Sequence, residues 1–140
     1  MSSADLKTVE VVAGLIFEQR RLLVCQRNAQ SAFPLKWEFP GGKVEADELH
    51  AEALRRELKE ELGIDVHQLS EFFRHKHVYP NLAKVNLRFF RIIDYSGQVK
   101  NLVFQQIKWV PIEELLKLDF LEGDLPLVQK LATLYRDPVR

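Results

Sequence analysis

Residues Gly42–Ile64 read "GKVEADELHAEALRRELKEELGI" and follow directly on Trp37–Gly41, "WEFPG". Leu54, Leu58 and Leu62 recur at the spacing of one helical face, which predicts a helix from Asp47 to Leu62. Asp47 is the expected N-cap, and Gly63 stands where a C-cap glycine belongs. With Leu54 at zero and an advance of about 100° per residue, Leu58 and Leu62 fall at about 40° and about 80°. Glu60, Glu57 and Glu61 then fall at about −120°, about −60° and about −20°. The three carboxylates share one arc beside the apolar stripe. Glu57 neighbours Glu60 and Glu61 at i+3 and i+4, where like charges repel by roughly 0.2–0.5 kcal/mol per pair. Glu60 and Glu61 also occupy the last turn, where the helix dipole disfavours each anion by about 0.3–1 kcal/mol. A solvated acidic face, relieved by Arg55, Arg56 and Lys59, is one explanation. The favoured one is a set of oxygen ligands, without histidine or cysteine, for a hard cation, Mg²⁺ or Mn²⁺. Mg²⁺ held by few carboxylates completes its shell with water and substrate phosphates.

Upstream, Val9–Phe17 and Leu22–Cys25 read as two strands joined in a hairpin by the polar "EQRR". Asn28–Phe33 is a loop, and Trp37–Phe39 a short extended piece, because Pro40 biases its predecessor away from helix. Gly41-Gly42 reads as a turn. Downstream, "FFRHKHVY" (Phe72–Tyr79) and "KVNLRFFRII" (Lys84–Ile93) are strands around a turn at Pro80-Asn81. Val85, Leu87 and Phe89 fall on one face of the second, and Asn86, Arg88 and Phe90 on the other. "QQIKWVP" (Gln105–Pro111) suggests a further strand. Pro111 opens a helix through "IEELLKL", and a last helix covers Asp124–Tyr135. Elements in this order predict an α/β (α+β) fold, one domain over residues 1–140.

Twenty basic and twenty acidic residues cancel, so an anionic ligand must be held by local features and no nucleic-acid polymer is expected as partner. The single cysteine, Cys25, excludes a disulfide within the chain and reads as a small buried strand residue. The opening "MSSADLKTVE" has neither an apolar core nor a basic lead, so no signal peptide or anchor is expected. No apolar run reaches the roughly 20 residues that span a bilayer. The expectation is a cytoplasmic monomer or homodimer.

The 23 residues from Gly42 to Ile64 are similar to a complete Nudix box: Gly42, Glu48, Arg56-Glu57-Leu58, Glu60-Glu61 and Gly63-Ile64 fill every fixed position. The flanking "KWEFPGGKVE" resembles the MutT-like branch, and the likeness extends more loosely to "QR" at Gln26-Arg27, "HVYP", "KWVP" and "GDLPLVQKL". The resemblance implies a Nudix-type α/β/α sandwich with a mixed sheet and a loop–helix. It also implies metal-dependent hydrolysis of nucleoside triphosphates, oxidised or non-standard ones included, to nucleoside monophosphate and pyrophosphate. Water attacks the β-phosphorus, and the biological task is sanitisation of the nucleotide pool. On the same ground Glu57, Glu60, Glu61 and the Gly41 carbonyl hold the metal, and Glu57 also serves as general base. Arg56 orients Glu57, Glu48 organises the loop–helix junction, and Lys43 contacts phosphate.

Arg27, Phe39 and Asp124 match residues that hold the base. An ionised Asp124 accepts hydrogen bonds only and favours an exocyclic amine, as on cytosine or guanine; with its proton retained in a dry pocket it also donates. Capping the last helix is its other expected role. Preference for CTP or dCTP is the alternative substrate reading. The resemblance further implies an acidic metal ligand six residues before Trp109, where this chain has Val103. That departure leaves a catalytically impaired nucleotide-binding module as a second class. Phe33, Trp37 and Tyr79 are expected to pack rather than stack on a ligand, and His75 and His77 to have a surface or substrate-edge role.

Overall fold

β1 (Thr8–Glu18) organises the sheet in the computed structural model, which describes residues 5–135. It turns through Gln19 and Arg20 into β2 (Arg21–Gln26), with Phe17 opposite Leu22, as the polar turn predicts. Towards its start β1 pairs antiparallel with β4 (Gly41–Lys43), Val12 opposite Gly42. Along its other edge it runs parallel to β6 (Ala83–Ser96), and β5 (Asp65–Tyr79) adds antiparallel to β6. β2 is flanked by β3 (Trp37–Glu38) and β7 (Gln106–Pro111). Seven strands thus form one mixed sheet.

Alternation along β1 sends side chains to two separate cores. Val12 and Ile16 meet Leu54, Leu58 and Leu62 of α1 (His50–Leu62), together with Leu23, Phe90 and Ile92. Ala13 and Leu15 belong to the cluster on the opposite face, with Leu87, Phe89 and Leu127, Val128 and Leu131 of α2 (Leu125–Leu134). Each fully buried aliphatic side chain contributes roughly 1.5–3 kcal/mol, which anchors the helices to the sheet. The α/β/α layering is the one expected. None of the helices among the described residues is long and apolar enough to cross a membrane.

Several local expectations need correction. Asp47 does not cap α1: it sits in a turn at φ 64°, and the cap position is Leu49. The Leu49 N–H donates to Glu52 Oε1 at 2.9 Å, and the Leu49 carbonyl accepts the Ala53 N–H, so the helix end is satisfied by N3. Gly63 closes the helix as predicted, at φ 75° with its N–H on the Lys59 carbonyl. Gly41-Gly42 lies in a strand, not a turn. A Cβ on Gly41 would stand 2.0 Å from the Val12 carbonyl oxygen, so glycine is what lets β4 approach β1. β5 starts at Asp65, not Phe72, because register shifts at Val66–Leu69 and Glu71–Phe73 break the alternation that marks a strand. "IEELLK" forms a 3-10 helix, Ile112–Lys117, with Pro111 at its cap. Cys25 is wholly buried, opposite Glu38 across β2 and β3.

Candidate active site

Arg56, on α1, is the hub of the carboxylate cluster. Its Nε and Nη2 grip Glu48 at 2.8 and 3.0 Å, its Nη1 reaches Glu57 at 2.8 Å, and its Nη2 also binds the Lys43 carbonyl at 3.0 Å. Glu60 follows at 3.6 Å and is the outermost of the three acids, 58% exposed. Glu48 also accepts the Glu45 N–H. The Arg56 guanidinium, helped by that N–H, holds the Glu48 carboxyl at about 2. One guanidinium therefore ties the loop after β4 to the helix and fixes Glu57 within it.

Glu57 lies over the backbone of β4. A Cβ on Gly42 would come within 2.5 Å of the Glu57 carboxyl carbon and 2.6 Å of Oε2, so the bare α-carbon is the floor of the cluster. Gly42→Ala is expected to displace that carboxylate and lower turnover about tenfold to 100-fold, since a misplacement near 1 Å costs on that scale. Initial rates on the variant check this, with far-UV circular dichroism verifying that the fold is kept. Glu61 accepts the Gly41 N–H at 3.0 Å. Burial, then the charges of Glu57 and Glu38, push Glu61 up to about 9. Burial likewise raises Glu57, against the pull of Arg56.

As they stand, no three acidic, histidine or cysteine side chains among the described residues form a ready-made metal cage. The donor set nonetheless fits a hard dication. Two crowded carboxylates, one resisting ionisation, lie next to a third that is exposed, with only oxygen donors among them.

Of the cluster, Glu61 reaches a cavity of about 410 Å³, whose lining includes Gly41, Gly42 and Lys43 as well as Arg27, Glu38 and Asp124. The size suits a nucleotide-scale ligand. Phe39 lines it and is itself buried, stacked on Phe120 at 5.3 Å. Arg27 is paired through Nη1 with both oxygens of Glu38, at 3.1 and 3.2 Å. Asp124 is 5% exposed and makes no cap hydrogen bond through its side chain, so position but not capping links it to α2. Burial, with the Glu38 charge adding, drives the Asp124 carboxyl well above its ordinary range; the Phe39 backbone and Arg27 pull weakly the other way.

Folding therefore disfavours the ionised form of Asp124. A raised folded value means stability is fullest below the ordinary value of 3.8 and is lost as pH rises above it. Asp124→Asn should then be more stable than wild type at pH 8 by about 1–3 kcal/mol, the penalty for a buried polar group in the wrong state, with the advantage vanishing near pH 4. Urea unfolding at the two pH values measures it.

The structure gathers Gly41, Lys43, Glu57, Glu60, Glu61 and Arg56 at one end of the site and Arg27, Phe39 and Asp124 at the other. Trp37 is in the core as expected, whereas Phe33 and Tyr79 line the cavity. His75 and His77 lie off the cavity, their ring centroids 5.8 Å apart. Val103 sits outside the cavity lining, its carbonyl accepting the Asn28 side chain at 2.8 Å, while neighbouring Leu102 donates its N–H to the Glu61 carbonyl. Sequence reasoning missed Glu38. The only local signal was an acid between two buried aromatics, Trp37 and Phe39.

Comparison with known proteins places this geometry. The NUDIX domain family model matches residues 7–131. The CTP pyrophosphohydrolase of Escherichia coli is 35% identical over 129 residues, 92% of this chain and 95% of that protein. The 8-oxo-dGTP diphosphatase of Proteus vulgaris is 35% identical over 96 residues, covering 68% of this chain and 85% of its own. A MutT structure from work on Aliivibrio salmonicida and Vibrio cholerae superposes with a TM-score of 0.78 at 32% identity, over 92% of this chain and all of that one. With the box residues assembled around Arg56 and the family match running through nearly the whole sheet, the chain belongs to the Nudix family, whose hydrolases work with a divalent metal.

Proposed function

We propose that this protein hydrolyses nucleoside triphosphates to nucleoside monophosphate and pyrophosphate, with Mg²⁺ or, in its place, Mn²⁺. The observation that carries this reading is a cavity lined by Gly41, Lys43 and Glu61, the neighbour of Glu57, as well as by Arg27, Glu38 and Asp124. A base seated at one end leaves its polyphosphate at the other. A bound dication supplies neutralisation of the phosphate charge and polarises the scissile phosphoryl group. Glu57, Glu60 and Glu61, with the Gly41 carbonyl, would hold it. Glu57 takes the proton of the attacking water. Arg56 orients Glu57, and Glu48 keeps Arg56 in place through its two-point grip. Lys43, exposed at the cavity edge, meets the phosphates.

Damaged or non-standard nucleotides are the proposed substrates, with oxidised guanine nucleotides first. The likeness to a CTP pyrophosphohydrolase favours a second reading, cytidine triphosphates, and a buried Asp124 carboxyl suits either amine-bearing base edge. Initial rates of pyrophosphate release over a panel of normal and oxidised nucleoside triphosphates, with and without Mg²⁺, test both readings. Monophosphate and pyrophosphate should appear in equal amounts and only with metal. Orthophosphate and diphosphate as products, or rates at background throughout, overturn the proposal.

A further inference from the structure

Asp124 is carried by a 3-10 turn of three residues, Glu122–Asp124, that leads into α2. So short a turn needs holding from outside, and the holding comes from the end of β5. The Gly123 N–H donates to Tyr79 Oη at 2.9 Å across 44 positions of sequence. A Cβ on Gly123 would stand 2.9 Å from that same oxygen and 3.0 Å from Leu87 Cδ1, so the phenol reaches the backbone because residue 123 has no side chain. Beside it, His77 Nε2 lies 3.5 Å from Glu122 Oε2.

The Tyr79 ring itself lines the cavity and packs on Phe33, with centroids 4.9 Å apart. Phe33 belongs to the loop that Arg27 secures by donating from Nε to the Ala32 carbonyl at 2.8 Å. Tyr79 therefore touches both walls of the Arg27–Asp124 end: the turn carrying the carboxyl, and the loop tied to the guanidinium.

We propose that Tyr79 is a positioning residue for base discrimination, its hydroxyl fixing the turn that presents Asp124 and its ring fixing the Phe33 wall opposite. The proposal rests on the reading that this cavity receives the base. A site rejects a wrong base edge when its buried polar groups would be left unpaired, and that penalty is felt only if those groups cannot slide to new positions. Packing alone allows such sliding, whereas a hydrogen bond to the backbone is directional. Tyr79→Phe keeps the ring and removes only the hydroxyl.

The test compares wild type with Tyr79→Phe in two measurements on the full chain. The first is kcat and KM with Mg²⁺ for CTP, dCTP, GTP, dGTP and 8-oxo-dGTP. The second is metal-free calorimetric binding of the corresponding monophosphates. Tyr79→Phe should compress the ratio between best and worst base by about fivefold to tenfold, the worth of one hydrogen bond, mainly through KM, with kcat at saturation within about twofold. Monophosphate affinities should compress in parallel, and Gly123→Ala, which crowds the hydroxyl, should do the same. A uniform loss across all bases, as a merely structural role would give, or an unchanged ranking overturns the proposal. If the wild type hydrolyses none of the triphosphates, the functional reading fails instead, and the monophosphate affinities still decide the role of Tyr79.

Discussion

Glu57→Gln should lower kcat for pyrophosphate release by about 10³-fold or more while leaving the protein folded. The amide keeps the shape of the side chain, and its oxygen still accepts from Arg56 Nη1, 2.8 Å away in the wild type. What it loses is the ability to take a proton and the negative charge that a dication would meet. Positioned general bases contribute about 10²–10⁴ in rate, and lost metal affinity adds to that. Removing one of several crowded acids relieves repulsion, so the melting temperature should stay within a few degrees. Single-turnover rates at saturating Mg²⁺ decide the matter. A variant within tenfold of wild type would remove Glu57 from the chemistry.

The placement of Glu57 is legible in the sequence, because α1 follows from Leu54, Leu58 and Leu62 and its end from Gly63. The start of that helix is not. Asp47 has the right side chain for a cap, but the chain is still turning there at φ 64°, and Glu52 satisfies the Leu49 N–H in its place. The first seven residues of β5 escape the sequence pattern because its bulges spoil the alternation that marks a strand. The family resemblance supplied Arg27, Phe39 and Asp124 one residue at a time. It did not supply what joins them: Glu38 against Arg27, and Tyr79 against Gly123, are meetings of distant segments that no local pattern encodes.

Arg56→Ala is expected to be the most damaging single change outside the acids. It removes four hydrogen bonds at once, to Glu48 twice, to Glu57 and to the Lys43 carbonyl. Glu57 would then lose both its orientation and its nearest positive charge, and turnover should fall about 100-fold to 1,000-fold. The loop after β4 would also lose its tie to α1, lowering the melting temperature by about 5 °C.

Arg56→Lys supplies charge without the planar fork, so it should regain part of the stability and little of the rate. Acid titration adds a second check. Glu48 is held at about 2 against an ordinary 4.5, so its contribution is present above 4.5 and lost as pH falls towards 2. The stability gap between wild type and Arg56→Ala should close over that interval; a gap that persists at pH 2 would mean the Glu48 grip contributes little.

The chain has one thiol, and its location has a chemical consequence. Cys25 has no exposed surface, and burial, reinforced by the acids Glu61 and Glu38, holds the thiol well above its ordinary range. The thiolate is the form that attacks peroxides and disulfides, and it must meet them at a surface. With no surface of its own and the acids Glu61 and Glu38 nearby, the thiol is kept protonated and out of reach of such reagents.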